Sequence, residues 1–271
     1  MHDEPLGRMP AYGAQHLTML ALIAVGAVII ITLLRRALRD PAADGAAGPL
    51  IVRQSGFRAV EGTRADRVLR VCGWALLANS VAWTLWGFMP WAWSLHDSLP
   101  LHFSDALRFI GPIALISRRG WAVVVAVFWG LTLNLQSVLT PDVNYVVIPP
   151  LEFAEYWIAH GSGLLIPAAL LWGLGLRPTW RGFAGAYGAT VLWAGIAVTG
   201  NALTGANYAY LNRAPAGPSI LDLMGPWPRY IAVEALLIAV VWALMTLLWN
   251  LPRRPSRIAL APSAGRTRRP R

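Results

Sequence analysis

Seven apolar stretches, each about 20 residues long, limit what this chain can fold into. A helix of that length crosses the hydrocarbon core of a bilayer, where only helices and closed barrels satisfy their own backbone hydrogen bonds. Of the 271 residues, 56% are hydrophobic and only 13% are charged, which is too apolar for an ordinary soluble domain. The sequence therefore predicts an all-α, polytopic membrane protein with seven transmembrane helices. The predicted spans are residues 15–34, 68–89, 99–117, 121–140, 153–174, 183–204 and 229–250.

Arginine is distributed unevenly among the connecting segments, and this distribution predicts the orientation of the spans. The net charge of +10 comes from arginine, because the chain contains no lysine. Seven arginines lie in residues 35–67, whereas residues 90–98 and 141–152 contain none. Because positive charge concentrates in cytoplasmic segments, the N-terminus is predicted to lie outside and the C-terminus in the cytoplasm. The arginines flank hydrophobic spans and do not form one soluble face, which argues against nucleic-acid binding.

These features divide the chain into three predicted parts. Residues 1–14 form an extracytoplasmic N-terminus, and residues 15–250 form the seven-helix domain with a cytoplasmic linker at 35–67. Residues 251–271 form a disordered basic tail in the cytoplasm. The charge pattern around the first span is opposite to that of a secretory signal, so this span is predicted to remain uncleaved in a cytoplasmic (inner) membrane. The single cysteine, Cys72, excludes an intramolecular disulfide and a cysteine-cage metal site.

Polar side chains concentrate in the predicted outer parts of five spans. Span three, for example, begins with His102, Ser104 and Asp105, and Arg108 follows one turn later. Charged groups at bilayer depth are costly, so their convergence at one depth indicates a water-accessible cavity that opens outward. The loop at 204–230 is expected to cover this cavity or to lie in the interface. The other polar residues expected near the cavity are Asn134, Gln136, Asp142, Glu152, Glu155, Tyr156, His160, Asn201, Asn207, Tyr208 and Glu234.

Two residues of this set have the chemistry of a nucleophile and its base. Ser104 is predicted to meet His160, because His102 lies on a different side of the same helix. One carboxylate among Asp105, Glu152 and Glu155 would then orient the histidine. Ser104, His160 and Asp105 are therefore the predicted catalytic residues. The remaining polar residues are predicted to bind substrate or support the site, with Arg108 holding a phosphate or carboxylate headgroup or neutralising Asp105.

Three alternatives remain open on the residues alone. Ser104 could bond back to its own helix while His160 pairs with an acid, which would make both residues structural. His102, His160, Asp105 and Asp142 are acceptable metal ligands, but no established ligand spacing joins them, so no metal or other cofactor is predicted. A transporter or sensor with an outward ligand cavity is the alternative function, although no inverted repeat is evident.

Several motifs occur in order between residues 96 and 250. They are "HFSD" at 102–105, "FWGLTLNLQSVLTPD" at 128–142, "HG" at 160–161 and "NYAYLNRAPAGPSILDLMGPWP" at 207–228. Together they resemble the bacterial YwaF-type integral membrane proteins, which are grouped with the eukaryotic transmembrane-protein-164 acyltransferases. The resemblance implies transfer of fatty acyl groups between membrane lipids by a cysteine and a histidine. Ser104 stands at the cysteine position and His160 at the histidine position, so the chain is a serine acyl enzyme, an enzyme of altered chemistry or an inactive relative.

The predicted orientation in the membrane indicates which acyl donor can reach the site, if the activity implied by the resemblance is present. Acyl-CoA is cytoplasmic, whereas the predicted cavity faces outward, so a phospholipid of the outer leaflet is the expected donor. The expected function is a lipid acyltransferase or lipid hydrolase that works through an acyl-enzyme. Membrane lipids are the expected partners, and the sequence indicates no nucleic-acid or protein partner.

Overall fold

Helices account for nearly all of the regular structure in the computed structural model, which describes residues 6–38, 52–53, 55–95, 98–141, 143–215 and 220–251. This confirms the all-α prediction. The predicted tail beyond Leu251, the breaker-rich segment at 40–50 and Asp142 lie outside the described residues. The helices are α1 (Ala14–Ala37), α2 (Ser55–Val60), α3 (Arg64–Gly87), α4 (Phe103–Ser117), α5 (Gly120–Leu131), α6 (Leu133–Leu139), α7 (Pro149–Ala168), α8 (Trp180–Thr204) and α9 (Arg229–Asn250).

Five helical stretches are long and apolar enough to cross a membrane: α1, α3, Gly120–Leu139 (α5 with α6), α8 and α9. Many of their large apolar side chains face outward, and Leu203, for example, is 82% exposed. Such a surface is suited to lipid, because a soluble protein rarely exposes large apolar patches. The chain is therefore a multi-pass membrane protein. The other two predicted spans are helices α4 and α7, for which crossing stays a prediction.

Helix α4 is shorter than its predicted span. It has 15 residues and begins at Phe103, after a bend at 98–101 that contains Pro100. Proline disfavours the helical conformation in the residue before it, which explains why the helix does not begin at residue 99. Arg118, with φ of 56°, ends the helix in the left-handed conformation. Ser104 and Asp105 consequently lie in the first turn of α4.

The fourth predicted span is divided at Thr132. This residue has φ of −126° and ψ of −75°, and its hydroxyl donates to the carbonyl oxygen of Phe128 at 2.5 Å. The Trp242 indole of α9 donates in turn to the Thr132 hydroxyl at 3.0 Å. The break separates the buried helix α5, whose residues from Ala122 to Gly130 form the centre of the protein, from the short helix α6. Helices α4, α7 and α8 pack around α5.

Two pairs of very short strands tie connecting segments together, which the sequence analysis did not predict. Strand β1 (Gly7–Arg8) pairs with β3 (Asn144–Tyr145), and β2 (Val52–Arg53) pairs with β4 (Arg177–Pro178), both antiparallel. Each pair joins two segments that the arginine distribution predicts to lie on the same side of the membrane. Which side faces the cytoplasm stays a prediction. Two short 3₁₀ helices at Tyr208–Tyr210 and Ile220–Met224, and a π-helical turn at Ala169–Gly173, complete the regular structure of the described residues.

Arginines at the basic end of the protein bind the carboxyl ends of helices. Arg35 donates to the carbonyl oxygen of Trp172 at 2.8 Å, Arg70 to that of Ile116 at 3.2 Å, and Arg177 to that of Trp249 at 3.2 Å. The final carbonyls of a helix lack partners within it and carry partial negative charge, so a guanidinium is a favourable partner there. These arginines therefore contribute to packing as well as to the charge pattern.

Candidate functional site

Two cavities lie at the end of the protein opposite the basic segments. The first has a volume of about 800 Å³ and is lined by the N-terminal segment, α4, α6, α7, α9 and the loop that follows α8. The second has a volume of about 660 Å³ and lies between α3, α4, α7 and the loop after α3. Ser104, Tyr156 and His160 line both. The predicted nucleophile and base therefore lie where the two cavities meet.

Ser104 lies in the first turn of α4 and is held there by its neighbours. The Asp105 carboxylate accepts a hydrogen bond from the backbone N–H of His102 at 3.0 Å, which stabilises the start of the helix. The His102 ring accepts a hydrogen bond from the N–H of Ala209 at 3.1 Å through Nδ1. Among the described residues, the Ser104 hydroxyl has no hydrogen-bond partner and does not bond back to its own helix. Its oxygen is therefore available to a ligand in either cavity.

His160 is buried and bound on one side by Asn134 of α6. Its Nδ1 lies 2.7 Å from Oδ1 of Asn134, and the Asn134 amide nitrogen donates to the carbonyl oxygen of His160 at 2.9 Å. The carbonyl can only accept, so it fixes which end of the Asn134 amide faces the ring. Oδ1 also only accepts, so Nδ1 carries the proton and Nε2 has a free lone pair in the neutral ring. Asn134, not a carboxylate, orients this histidine.

Glycine and tyrosine complete the surroundings of His160. A Cβ on Gly163 would lie 2.7 Å from the Asn134 amide nitrogen, so the glycine leaves room for the close approach of α6 to α7. The Tyr156 ring lies 4.2 Å from the His160 ring, centroid to centroid, and its hydroxyl donates to the carbonyl oxygen of Ser137 at 2.6 Å. These contacts hold the imidazole in one orientation.

Arg108 forms a buried ion pair with Glu155 of α7, and not with Asp105. Asn79 of α3 donates to the other oxygen of Glu155 at 2.8 Å, and Ser80 donates to the backbone carbonyl of Arg108 at 2.8 Å. The ion pair, together with the hydrogen bonds from Asn79 and Ser80, therefore joins α3, α4 and α7 below the first turn of α4. Asn79 was not predicted from the sequence, although an amide in an apolar span is itself a signal of a buried polar contact.

The remaining predicted site residues fall into two groups. Gln136 and Glu234 line the first cavity, and Glu152 lines the second. Glu152 also accepts the N–H groups of Val146 and Val147 at 2.9 Å each, which closes the loop before α7. Burial and the Glu152 carboxylate raise the pKa of the Tyr145 phenol in the same loop, so this phenol stays neutral at physiological pH.

Asn201, Asn207 and Tyr208 line neither cavity. Asn201 accepts the N–H of Tyr208 at 2.6 Å and donates to its carbonyl oxygen at 3.0 Å, which fixes the start of the loop after α8. Asn207 accepts the N–H of Arg213 at 3.0 Å within that loop. These residues therefore shape the loop after α8 through hydrogen bonds and do not contact the cavities directly. Asp142 lies outside the described residues.

The loop between α8 and α9 covers part of the first cavity, as the sequence suggested. Ala209, Tyr210, Pro215 and Leu221 contribute to its wall. The Trp227 indole donates to the carbonyl oxygen of Leu211 at 2.8 Å and holds the loop against the start of α9. The described part of this loop therefore forms one wall of the first cavity.

The N-terminal segment forms another wall that the sequence analysis did not predict. Met9 and Tyr12 line the first cavity, and Met9 is buried. His16 is also buried, and its Nε2 lies 2.8 Å from the carbonyl oxygen of Val138 while its Nδ1 accepts the N–H of Tyr12 at 2.8 Å. The only signal for this contact was a histidine at the beginning of an apolar span.

Within the described residues, no group of three or more histidine, cysteine, aspartate or glutamate side chains is placed to hold a metal ion. A comparison with family models gives one result that covers most of the chain: the model described as the TMEM164 family matches residues 11–246. No curated protein and no solved structure gives a significant match.

Proposed function

The chain belongs to the TMEM164 family, and from this premise we propose that it is a lipid acyltransferase or lipid hydrolase of the cytoplasmic membrane that works through an ester on Ser104. The activity is the one that the resemblance of its motifs to acyltransferases implies. The observation that carries the proposal is the arrangement of Ser104 and His160. The serine hydroxyl has no partner among the described residues, His160 lines the same two cavities, and its Nδ1 contact with Asn134 leaves Nε2 as the acceptor nitrogen.

Asn134 supports the role of His160 as a general base. A base must be held in one tautomer, and the Nδ1 hydrogen bond leaves Nε2 as the acceptor nitrogen that the proposal assigns to the Ser104 proton. A neutral amide orients the histidine of cysteine proteases, whereas serine enzymes usually have a carboxylate that stabilises the imidazolium. The arrangement thus fits the cysteine of the resembling proteins, and Ser104 is a slower nucleophile in a site arranged for a thiol.

The proposed first step is attack of the Ser104 oxygen on the carbonyl carbon of a lipid ester. The Oγ–carbon bond forms, Nε2 of His160 takes the hydroxyl proton, and the bond from the carbonyl carbon to the lipid oxygen breaks. His160 then gives the proton to that departing oxygen. In the first turn of α4 the N–H groups of Asp105 and Ala106 donate to the His102 carbonyl oxygen, so those of Phe103 and Ser104, with the positive helix end, are the ones suited to stabilise the oxyanion.

The proposed donor is a phospholipid of the outer leaflet. This rests on the arginine pattern, because the cavities lie at the end opposite the basic segments, and the basic segments are predicted to be cytoplasmic. In this arrangement α4 and α7 also cross the membrane and bring the five candidate spans to seven. Helix α7 and the π-helical turn run from Pro149 to Gly173, and residues 98–102 extend the crossing of α4.

The central helix argues against the alternative of a transporter. Transport requires a polar path between the two sides, whereas α5 from Ala122 to Gly130 is buried and apolar. Below the two cavities the described helices pack into the main hydrophobic core. The cavities are therefore suited to binding from one side only.

Detection of the acyl-enzyme tests the proposal. Purified protein in vesicles of bacterial phospholipids is digested, and the peptide that contains Ser104 is analysed by mass spectrometry for an added fatty acyl group. We expect the adduct in the wild-type protein, its loss in Ser104→Ala and its strong reduction in His160→Ala. Normal lipid turnover by both variants, at equal membrane insertion, would contradict the proposal.

A further inference from the structure

The basic end of the protein, opposite the two cavities, contains a pair of indoles between two bound arginines. The rings of Trp172 and Trp249 lie 6.4 Å apart, centroid to centroid. Arg35 donates to the backbone carbonyl oxygen of Trp172, and Arg177 donates to that of Trp249. These contacts bring the ends of α1, the π-helical turn and α9 together with strand β4, and this group of elements is called the arginine corner below.

Two more arginines lie on the helices of the arginine corner. Arg36 is in the last turn of α1, and Arg181 is in the first turn of α8, which follows β4. Both are exposed, and neither has a partner among the described residues. Arg35 uses only its Nε within the described structure, so both terminal nitrogens of this guanidinium can donate to a ligand.

Acidic residues do not balance this charge. The described carboxylates at the basic end are Glu61 and Asp66, and both belong to the segment around the start of α3. Asp66 is already paired with Arg70 and Arg118. Within the described part of the chain the exposed guanidiniums of the arginine corner are therefore left for an anion from the surroundings.

The surface beside these arginines is apolar and faces outward. Leu33 of α1 and Leu248 of α9 are 57% and 67% exposed, and they lie on the membrane side of Arg36 and Trp249 along their helices. Trp172 is 42% exposed at the same end, and tryptophan favours the boundary between hydrocarbon and water. The corner thus presents positive charge next to a surface suited to hydrocarbon chains, which a free phosphate would leave unused.

From this combination we infer that the arginine corner binds an anionic phospholipid, with its phosphate on the guanidinium groups and its acyl chains along the apolar surface. Guanidinium donates to phosphate oxygens through two parallel N–H groups, and basic pockets between transmembrane helices hold anionic headgroups. Because the Trp172 carbonyl already holds Arg35 in place, less side-chain freedom is lost when the lipid binds.

This lipid is distinct from any substrate of the candidate site. Ser104 and the two cavities lie at the other end of the protein, so the inference goes beyond the proposed reaction and does not depend on it. A lipid that binds the folded protein and not the unfolded chain raises the temperature of unfolding. The expected role is therefore stabilisation of the folded protein where α1, α8 and α9 meet the headgroup layer.

Four exposed arginines offer a matched pair of double variants. Arg36→Gln with Arg181→Gln removes two charges from the arginine corner. Arg64→Gln with Arg67→Gln removes two charges from α3 at the same end of the protein, away from the indole pair. None of the four side chains has a partner among the described residues, so neither double variant breaks a described internal contact.

The experiment titrates the full-length chain in a neutral detergent with dioleoyl phosphatidylglycerol. Thermal unfolding gives the stabilisation, and native mass spectrometry counts the bound lipids directly, whatever the unfolding temperature of a variant. Phosphatidylethanolamine with the same acyl chains is the zwitterionic control, and glycerol 3-phosphate represents the headgroup without a lipid.

We expect phosphatidylglycerol to bind and to raise the unfolding temperature, with little effect of either control at equal concentration. The Arg36 and Arg181 double variant should weaken phosphatidylglycerol binding at least about tenfold, whereas the Arg64 and Arg67 double variant should change it less than about twofold.

Three results would overturn the inference. Equal weakening in the two double variants would mean that the whole basic end attracts anions without a defined site. Equal binding of phosphatidylethanolamine would mean that the phosphate charge is not recognised. Binding of glycerol 3-phosphate as tight as that of phosphatidylglycerol would identify a site for a free phosphate compound and not for a lipid.

Discussion

The amide of Asn134 binds His160 twice, through the ring nitrogen Nδ1 at 2.7 Å and through the backbone carbonyl at 2.9 Å. The pair sets the tautomer of the imidazole and anchors the ring to the helix that carries it. Turning the ring over would break the Nδ1 hydrogen bond, and the bond to the backbone carbonyl fixes the amide that accepts it. The consequences of this relationship can be measured.

Asn134→Ala should lower the turnover number about a hundredfold, because the proton of His160 would no longer be held on Nδ1. Asn212→Ala is a control for loss of an amide elsewhere, since the Asn212 side chain donates to the carbonyl oxygen of Ala206 in the loop after α8. Steady-state acyl transfer with purified variants is the measurement. Equal activity of Asn134→Ala and Asn212→Ala would show that the pair has no catalytic role.

Ser104→Cys should raise the rate of acylation at least about tenfold, because a thiol forms its anion more readily than a hydroxyl and is the stronger nucleophile. Single-turnover acylation with a labelled phospholipid measures this rate. Adding His160→Ala to the cysteine variant should remove most of the gain. A cysteine variant slower than the wild type would indicate that the site has adapted to the serine.

Gly163→Ala should impair activity more than stability, because its methyl group would meet the Asn134 amide at 2.7 Å and move it from the histidine. Gly161→Ala is the matched control on the same helix, since a Cβ there meets Ile23 at 3.6 Å, an ordinary contact. Turnover and thermal unfolding are measured for both variants. Similar turnover in the two would show that Asn134 adjusts without cost.

Arg108→Met and Glu155→Leu should each destabilise the protein by about 3–5 kcal/mol, because each leaves one buried charge without its partner. The double variant should recover most of this loss, since it buries no charge. Thermal unfolding in detergent is the measurement, with Arg119→Met as a surface control. Additive losses in the double variant would indicate that the two residues act independently.

The sequence was sufficient for the all-α class and for the approximate positions of the long helices. Hydropathy windows and arginine counts average over many residues, so the predicted fold class and the predicted proximity of Ser104 to His160 did not depend on exact helix boundaries. The role of Asp105, in contrast, depended on where α4 begins. Because α4 begins at Phe103, Asp105 binds the backbone N–H of His102 at the start of the helix.

The partner of His160 could not be identified from the sequence for a related reason. Asn134 was predicted near the cavity, but its contact with the ring depends on the break at Thr132 and on the space above Gly163. Both are properties of packing between α6 and α7. Asn79 and the N-terminal wall were missed because single polar residues and short strands leave no periodic pattern.

The pairing of β1 with β3 also sets an order of assembly. Translation produces Gly7 and Arg8 long before Asn144 and Tyr145, so the first strand has to wait until the chain has been made as far as the loop before α7. Met9 and Tyr12 can take their places in the cavity wall only then. The remaining walls come from α7, the loop after α8 and α9, which are made later still, so the first part of the chain to be translated has to wait for the last before the cavity is closed.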